Sequence, residues 1–325
     1  MIVVGLAWLQ APGYIHTLDD EVLHSFARHI RRAAGPDTII EMRCFSHWGG
    51  KKSDPYIFPF MQDASGEFDL AKPNLAWDEN VQRLRRIFWG TKMADGTCTR
   101  IWLRFDLFDN CGAKATFWWN FWLYNNNAFV DNMYDHNPDF LSWIKAEWID
   151  RLWDLKIRRF SFGNELNYRG PLHVNQWVKQ IVLPQAEYLL NKGHKTLIHY
   201  SGSVATSHAM RGWLEEIYGK NFACEIWHGQ MLPERLPDRS SLMKGWPYGL
   251  SCDGLKASDG PGYTDSTTKE HAQSIRKFHN DVLWHPGKLV VAEHLIREID
   301  GLQSPVEVGP ATFNFLRAMR RINAG

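Results

Sequence analysis

Apolar, β-branched runs alternate with stretches of helical period from one end of the chain to the other. The runs at 2–8 (IVVGLAW), 38–45 (TIIEMRCF), 100–108 (RIWLRFDLF), 157–163 (IRRFSFG), 195–201 (KTLIHYS), 222–228 (FACEIWH), 248–252 (YGLSC) and 288–292 (KLVVA) predict eight strands. Between the first two, Thr17, Asp20 and Glu21 open a helix whose Val22, Phe26 and Ile30 recur every four positions, turning one face to a sheet. Asn137 and Pro138 supply a cap and a first-turn proline for a helix bearing Phe140, Ile144, Trp148 and Leu152. Thr267 and Glu270 form a capping box ahead of Ile275, Phe278 and Leu283. A further helix runs from about 174 to Gly193 with a kink expected at Pro184, and Phe313, Leu316 and Met319 close the chain in helical period.

A strand-helix unit repeated eight times is the pattern of a (β/α)8 barrel, because each parallel crossover needs a helix to return the chain. An open doubly wound sheet is the alternative. Neither G-x-G-x-x-G nor G-x-x-x-x-G-K-[ST] follows any predicted strand, so the phosphate-cradling turn of dinucleotide and NTP folds is absent. No domain boundary interrupts residues 1–325, which read as one barrel domain. The long connections at 46–77 and 109–138 are expected as loops over the C-terminal mouth of the barrel.

Composition narrows the class of ligand. With 37 Lys plus Arg against 36 Asp plus Glu, the chain lacks the basic excess of a nucleic-acid binder. No stretch has the roughly 18 to 20 apolar residues of a membrane span, and MIVVGLAWLQ reads as a first strand and not a signal, giving a cytoplasmic expectation. Five scattered cysteines without a C-x-x-C pair suggest neither a disulfide framework nor a zinc knuckle. Aromatic content is the exception: 16 Trp, 18 Phe and 10 Tyr either fill a Trp-rich core or leave some rings to line a cleft where flat, apolar ligand faces stack.

The chemistry-bearing signal is Arg158-Arg159-Phe160-Ser161-Phe162-Gly163-Asn164-Glu165, a strand that ends in glycine followed by an amide and a carboxyl. Cleaving a glycosidic bond needs one carboxylic acid to protonate the leaving oxygen, and a second carboxylate about 5 to 5.5 Å away if configuration is retained. Asn-Glu at the end of a fourth strand resembles the retaining glycoside hydrolases of the (β/α)8 cellulase, mannanase and xylanase superfamily, clan A. The resemblance implies that Glu165 is the acid/base and that Asn164 hydrogen-bonds the sugar 2-hydroxyl. Lys288-Leu289-Val290-Val291-Ala292-Glu293 resembles the nucleophile strand of that superfamily, with Glu293 as nucleophile. That strand is the seventh in the superfamily and the eighth by the count here. The difference turns on 248–252, where Pro233, Pro237 and Pro247 leave no helix signal upstream. If 248–252 is a true strand, Asp253 at its mouth competes for the nucleophile role. By the same resemblance Arg43 would hold the nucleophile ionised. Trp227 and His228 would stand beside it, and Trp8, Asp106, His199 and Tyr200 take equivalent strand-end positions. Trp48 and the Phe117–Trp122 cluster offer rings on which sugar faces stack.

The expected substrate is thus a β-linked poly- or oligosaccharide cut by an endo-acting enzyme without a cofactor. Two rivals remain open. A metal-dependent barrel hydrolase would draw on the 14 histidines, although no H-x-H or H-E-x-x-H occurs. A non-catalytic carbohydrate-binding barrel would keep the cleft and lack the second carboxylate.

Overall fold

β-Branched and aromatic residues at 39–44 and 101–106 suit a pleated surface buried on both faces, and both segments are strands. The computed structural model describes residues 3–7, 18–44, 60–62, 68–106, 149–161, 183–193, 198–201, 222–225, 248–251, 289–293 and 316–324 except 318 and 322. Within these the strands are β1 (Val3–Ala7), β2 (Ile39–Cys44), β3 (Phe60–Gln62), β4 (Phe68–Pro73), β5 (Ile101–Asp106), β6 (Arg159–Ser161), β7 (Ile198–Ser201), β8 (Phe222–Glu225), β9 (Tyr248–Ser251) and β10 (Leu289–Glu293). The helices are α1 (Asp20–Ala34), α2 (Leu75–Gly90), α3 (Asp150–Asp154) and α4 (Leu183–Asn191), with further helical turns around Leu316 and Met319.

All eight expected strands are present, and all pair in parallel. Their hydrogen-bonded order β1-β10-β9-β8-β7-β6-β5-β2 closes on itself, since β1 pairs with both β2 and β10. The short run 248–252, uncertain from sequence, is a strand held between β8 and β10. It is therefore the seventh strand of the ring and β10 the eighth.

The segment 46–77 is not solely a loop. It contains β3 and β4, an antiparallel pair outside the ring, and the start of α2, a helix not foreseen from sequence. Asn74 caps α2 by accepting from the Trp77 amide, and Trp77, Val81, Leu84 and Phe88 form its buried stripe. For α1 the cap is Asp19, and Thr17 lies outside the described residues. The described part of the helix expected to run from about 174 begins at Leu183, leaving Pro184 in its first described turn. The expected helix after Thr267 also lies outside the described residues, and so does the connection 109–138.

Helices pack on the outer face of the strands. Ile40, Met42, Ile101, Leu103, Phe105 and Phe160 are buried there. Phe105 meets Trp77 of α2 edge-on, Phe160 stacks on Trp153 of α3, and Phe26 of α1 meets Phe88 of α2. Trp153 is half-buried between Phe160 and the Arg158 guanidinium, which lies 4.0 Å from its ring. Asp150 joins α3 to α4, accepting from Tyr188 at 2.8 Å and Lys192 at 2.5 Å.

Between α1 and β2 the chain turns at Gly35, whose φ of 77° and ψ of 168° form a combination nearly confined to glycine. Its amide donates to the Arg31 carbonyl at 2.9 Å. Gly35→Ala is expected to cost about 1–3 kcal/mol of stability, read as a lowered urea midpoint at unchanged slope. A midpoint equal to that of the parent would show that the turn tolerates a side chain.

Candidate active site at the C-terminal rim

Strand alternation divides the ring into two faces, and the described side chains identify each. Phe105 and Phe160 face helices. Their neighbours Arg104 and Arg159 meet Glu41 of β2 on the opposite, inner face. Arg104 Nε donates to Glu41 Oε2 and its NH1 to the Phe160 carbonyl, whereas Arg159 NH1 lies 3.3 Å from Glu41 Oε1. Glu41 is wholly buried and Arg104 is 1% exposed, so this is an ion cluster inside the ring. Burial pushes the Arg159 guanidinium down; Glu41 opposes that and Arg104 adds to it. Below it Trp102 receives the Arg159 guanidinium 4.8 Å from its ring centre and meets Trp89 at 4.3 Å, an aromatic floor.

Register extends the inner face to the other strands. Glu41 pairs with Gly5, which pairs with Val291; two residues on, Arg43 pairs with Ala7, which pairs with Glu293. Arg43 and Glu293 therefore share one row of the ring, separated only by Ala7. Asp106 is in register with Ser161, and Ser161 with His199, which puts Asp106 and His199 on that face at the third and fifth strands. Tyr200 follows His199 in β7.

One rim carboxylate escaped the sequence reading. Glu225 ends β8 and pairs with Ser201 of β7 and Gly249 of β9. Its signal in the sequence was plain, since an acid ended the apolar run Phe222-Ala223-Cys224. Trp8, Trp48, Asn164, Glu165, Trp227, His228 and Asp253 lie outside the described residues. Among the described residues no three His, Cys, Asp or Glu side chains gather as metal ligands.

The arrangement can do two things chemically. A buried cluster with two guanidiniums to one carboxylate carries excess positive charge beneath the rim, and positive charge favours the ionised form of a nearby carboxylate. The rim then offers acids at the ends of β5, β8 and β10, where barrels place their reactive groups.

Comparison with solved structures agrees with this topology. The fold is similar to that of a GH5 xyloglucan-specific β-1,4-glucanase from a ruminal metagenomic library, solved in complex with XXLG. That match has a TM-score of 0.53 and 11% identity over 99% of this chain and 94% of that one. It is also similar to a GH5-4 broad-specificity endoglucanase from an uncultured bacterium, with a TM-score of 0.54 and 11% identity over 98% of this chain and 93% of that one. No protein-family model matches the chain, and no curated protein does. At this identity the likeness is one of fold alone.

Glu41→Gln removes the charge that offsets two buried guanidiniums. A loss of about 3–5 kcal/mol in unfolding free energy is expected, the cost of an uncompensated buried ion. Replacing Glu41 and Arg104 together with Leu and Met should recover much of that loss. A single variant as stable as the parent would mean that Arg104 and Arg159 have other anionic partners.

Proposed function

We propose that the chain is a glycoside hydrolase that cleaves β-linked glucan chains internally, with retention of configuration and without a cofactor. The barrel would be a complete (β/α)8 unit spanning residues 1–325, with long loops over its C-terminal face. The observation that carries the proposal is the row Glu293–Ala7–Arg43 at the C-terminal ends of β10, β1 and β2. An arginine two strands from a strand-end glutamate in a parallel ring is a means of keeping a nucleophile charged. The fold shared with two β-glucanases supports the substrate class.

In this reading Glu165 protonates the leaving oxygen while the Glu293 carboxylate attacks the anomeric carbon, and water then hydrolyses the glycosyl-enzyme with Glu165 as base. Asn164 holds the 2-hydroxyl, and Asp106 and His199 read other hydroxyls. Trp8, Trp48 and Trp227 supply stacking faces, with His228 beside the nucleophile.

A second reading makes Asp253 the nucleophile. It rests on the finding that β9 is the seventh strand, the position the superfamily resemblance gives to the nucleophile. Glu165 follows the fourth strand, so Glu293 at the eighth stands four steps round the ring from it, and Asp253 three.

Purified protein is expected to release oligosaccharides from β-glucans, xyloglucan among them, with a rapid fall in polymer length. Glu165→Gln should slow hydrolysis of unactivated glucan roughly 10²–10⁴-fold and spare glycosides with acidic leaving groups, which need no proton. Equal loss on both classes would remove Glu165 from the acid role. A fluorinated glycosyl trap should label Glu293, and Glu293→Gln should abolish the label. Label on Asp253 or Glu225 would move the nucleophile. Saturable oligosaccharide binding with no hydrolysis of any glucan would instead identify a binding barrel. Activity lost with a chelator and restored by zinc would identify a metal-dependent hydrolase.

A further inference from the structure

At the opposite end of the ring a cavity of about 610 Å³ opens between the α1–β2 turn, the segment before β5 and Arg320. Its volume is in the range of small-ligand sites, roughly 300–1,000 Å³. Five cations line it: Arg31, Arg32, Lys92, Arg100 and Arg320. We propose that this cavity binds a small anion of the phosphate class, at a site separate from the C-terminal rim.

Arg31 builds the wall. Its Nε donates to the Thr99 carbonyl at 2.5 Å, and its NH1 to the carbonyls of Thr38 at 2.7 Å and Gly35 at 2.8 Å. One buried guanidinium thus ties the α1–β2 turn to the segment before β5 and fixes the cavity's shape. That segment is itself closed by the Lys92–Cys98 bridge and by the Met93 amide donating to Thr97 at 2.9 Å.

The remaining four cations are exposed heads on this frame. Among the described residues none of them forms an ion pair with a carboxylate. Two acids line the cavity, Asp37 and Asp95. Asp95 is occupied locally, its Oδ1 accepting from Thr97 Oγ1 at 2.6 Å and from the Thr97 amide at 2.9 Å. The whole chain has a net charge of only +1, so five cations around one cavity form a local excess.

Backbone strain adds an independent observation. Arg100 has a φ of 48°, a left-handed conformation costly for any residue with a Cβ. Its amide donates to Trp89 and its carbonyl accepts from Arg31, so the conformation is locked beside a like charge. Burial lowers the Arg31 pKa to about 10, and the Arg100 charge adds to that, with Asp37 opposing. A bound anion would relieve this repulsion, and guanidinium forks match the oxygens of a phosphate.

Titration calorimetry at fixed ionic strength, with pyrophosphate as the probe, tests the site. A saturable one-to-one heat is expected. Arg100→Gly keeps the left-handed backbone without strain, so it should match or exceed the parent's thermal stability while weakening binding at least tenfold. Lys92→Ala combined with Arg320→Ala should do likewise, and Arg86→Ala, an exposed charge elsewhere on α2, should leave affinity unchanged. Absence of a saturable heat, or parental affinity in Arg100→Gly, would overturn the proposal. The readout is binding and not hydrolysis, so it stands apart from the glycosidase reading.

Discussion

Pairing of β1 with both β2 and β10 is the constraint on which the other features rest. A strand bonded on one side alone would leave an open sheet with two edges, and the order of faces could drift from one end to the other. Bonded on both sides, β1 requires the alternation of all eight strands to agree when the ring closes. A slip of one residue anywhere would send Arg104 towards α2 and Phe105 into the interior. The small residues Gly5 and Ala7 stand in register between Glu41 and Val291 and between Arg43 and Glu293, across a single strand.

Barrel interiors are ordinarily filled with branched aliphatic side chains, and this one contains Glu41, Arg104 and Arg159. Stability does not account for them. A buried ion cluster is often no more stable than aliphatic residues of similar volume, because desolvation of the charges offsets their attraction. Their effect is electrostatic: a fixed positive excess held rigidly by a backbone carbonyl and an aromatic floor, one layer below the rim where acids end the strands. Such a preorganised field does not have to reorient when charge moves at the rim, unlike water.

The strands were legible because β-branched runs bounded by turn residues admit few other structures, and even Tyr248-Gly249-Leu250-Ser251 proved a strand despite its prolines upstream. Helix α2 was missed although Pro73-Asn74 before Trp77 and Val81 is a start signal, because Asp78, Arg83, Arg85 and Arg86 dilute its apolar stripe. The ion cluster was illegible for a different reason. Hydropathy shows Arg104 and Arg159 as polar interruptions of strands, and only the register between β2, β5 and β6 reveals that they converge on Glu41. For the candidate site the acid at Glu293 was readable as a strand end, whereas the relation of Glu293 to Arg43 required the closed ring.

Near-zero net charge concealed a division between the two ends of the barrel. At the C-terminal end, acids close β5, β8 and β10, with Arg43 among them and serines at β6, β7 and β9. At the other end the α1–β2 turn and the segment before β5 gather cations with few acids. The two ends are linked through the same elements, since β2 and β5 begin beside Arg31 and Arg100 and carry Arg43 and Asp106 at their far ends. Arg31 fixes where those strands start, and strand length then fixes the height of the rim. The basic end is thus part of what positions the acidic one, by backbone geometry and without any contact between their charges.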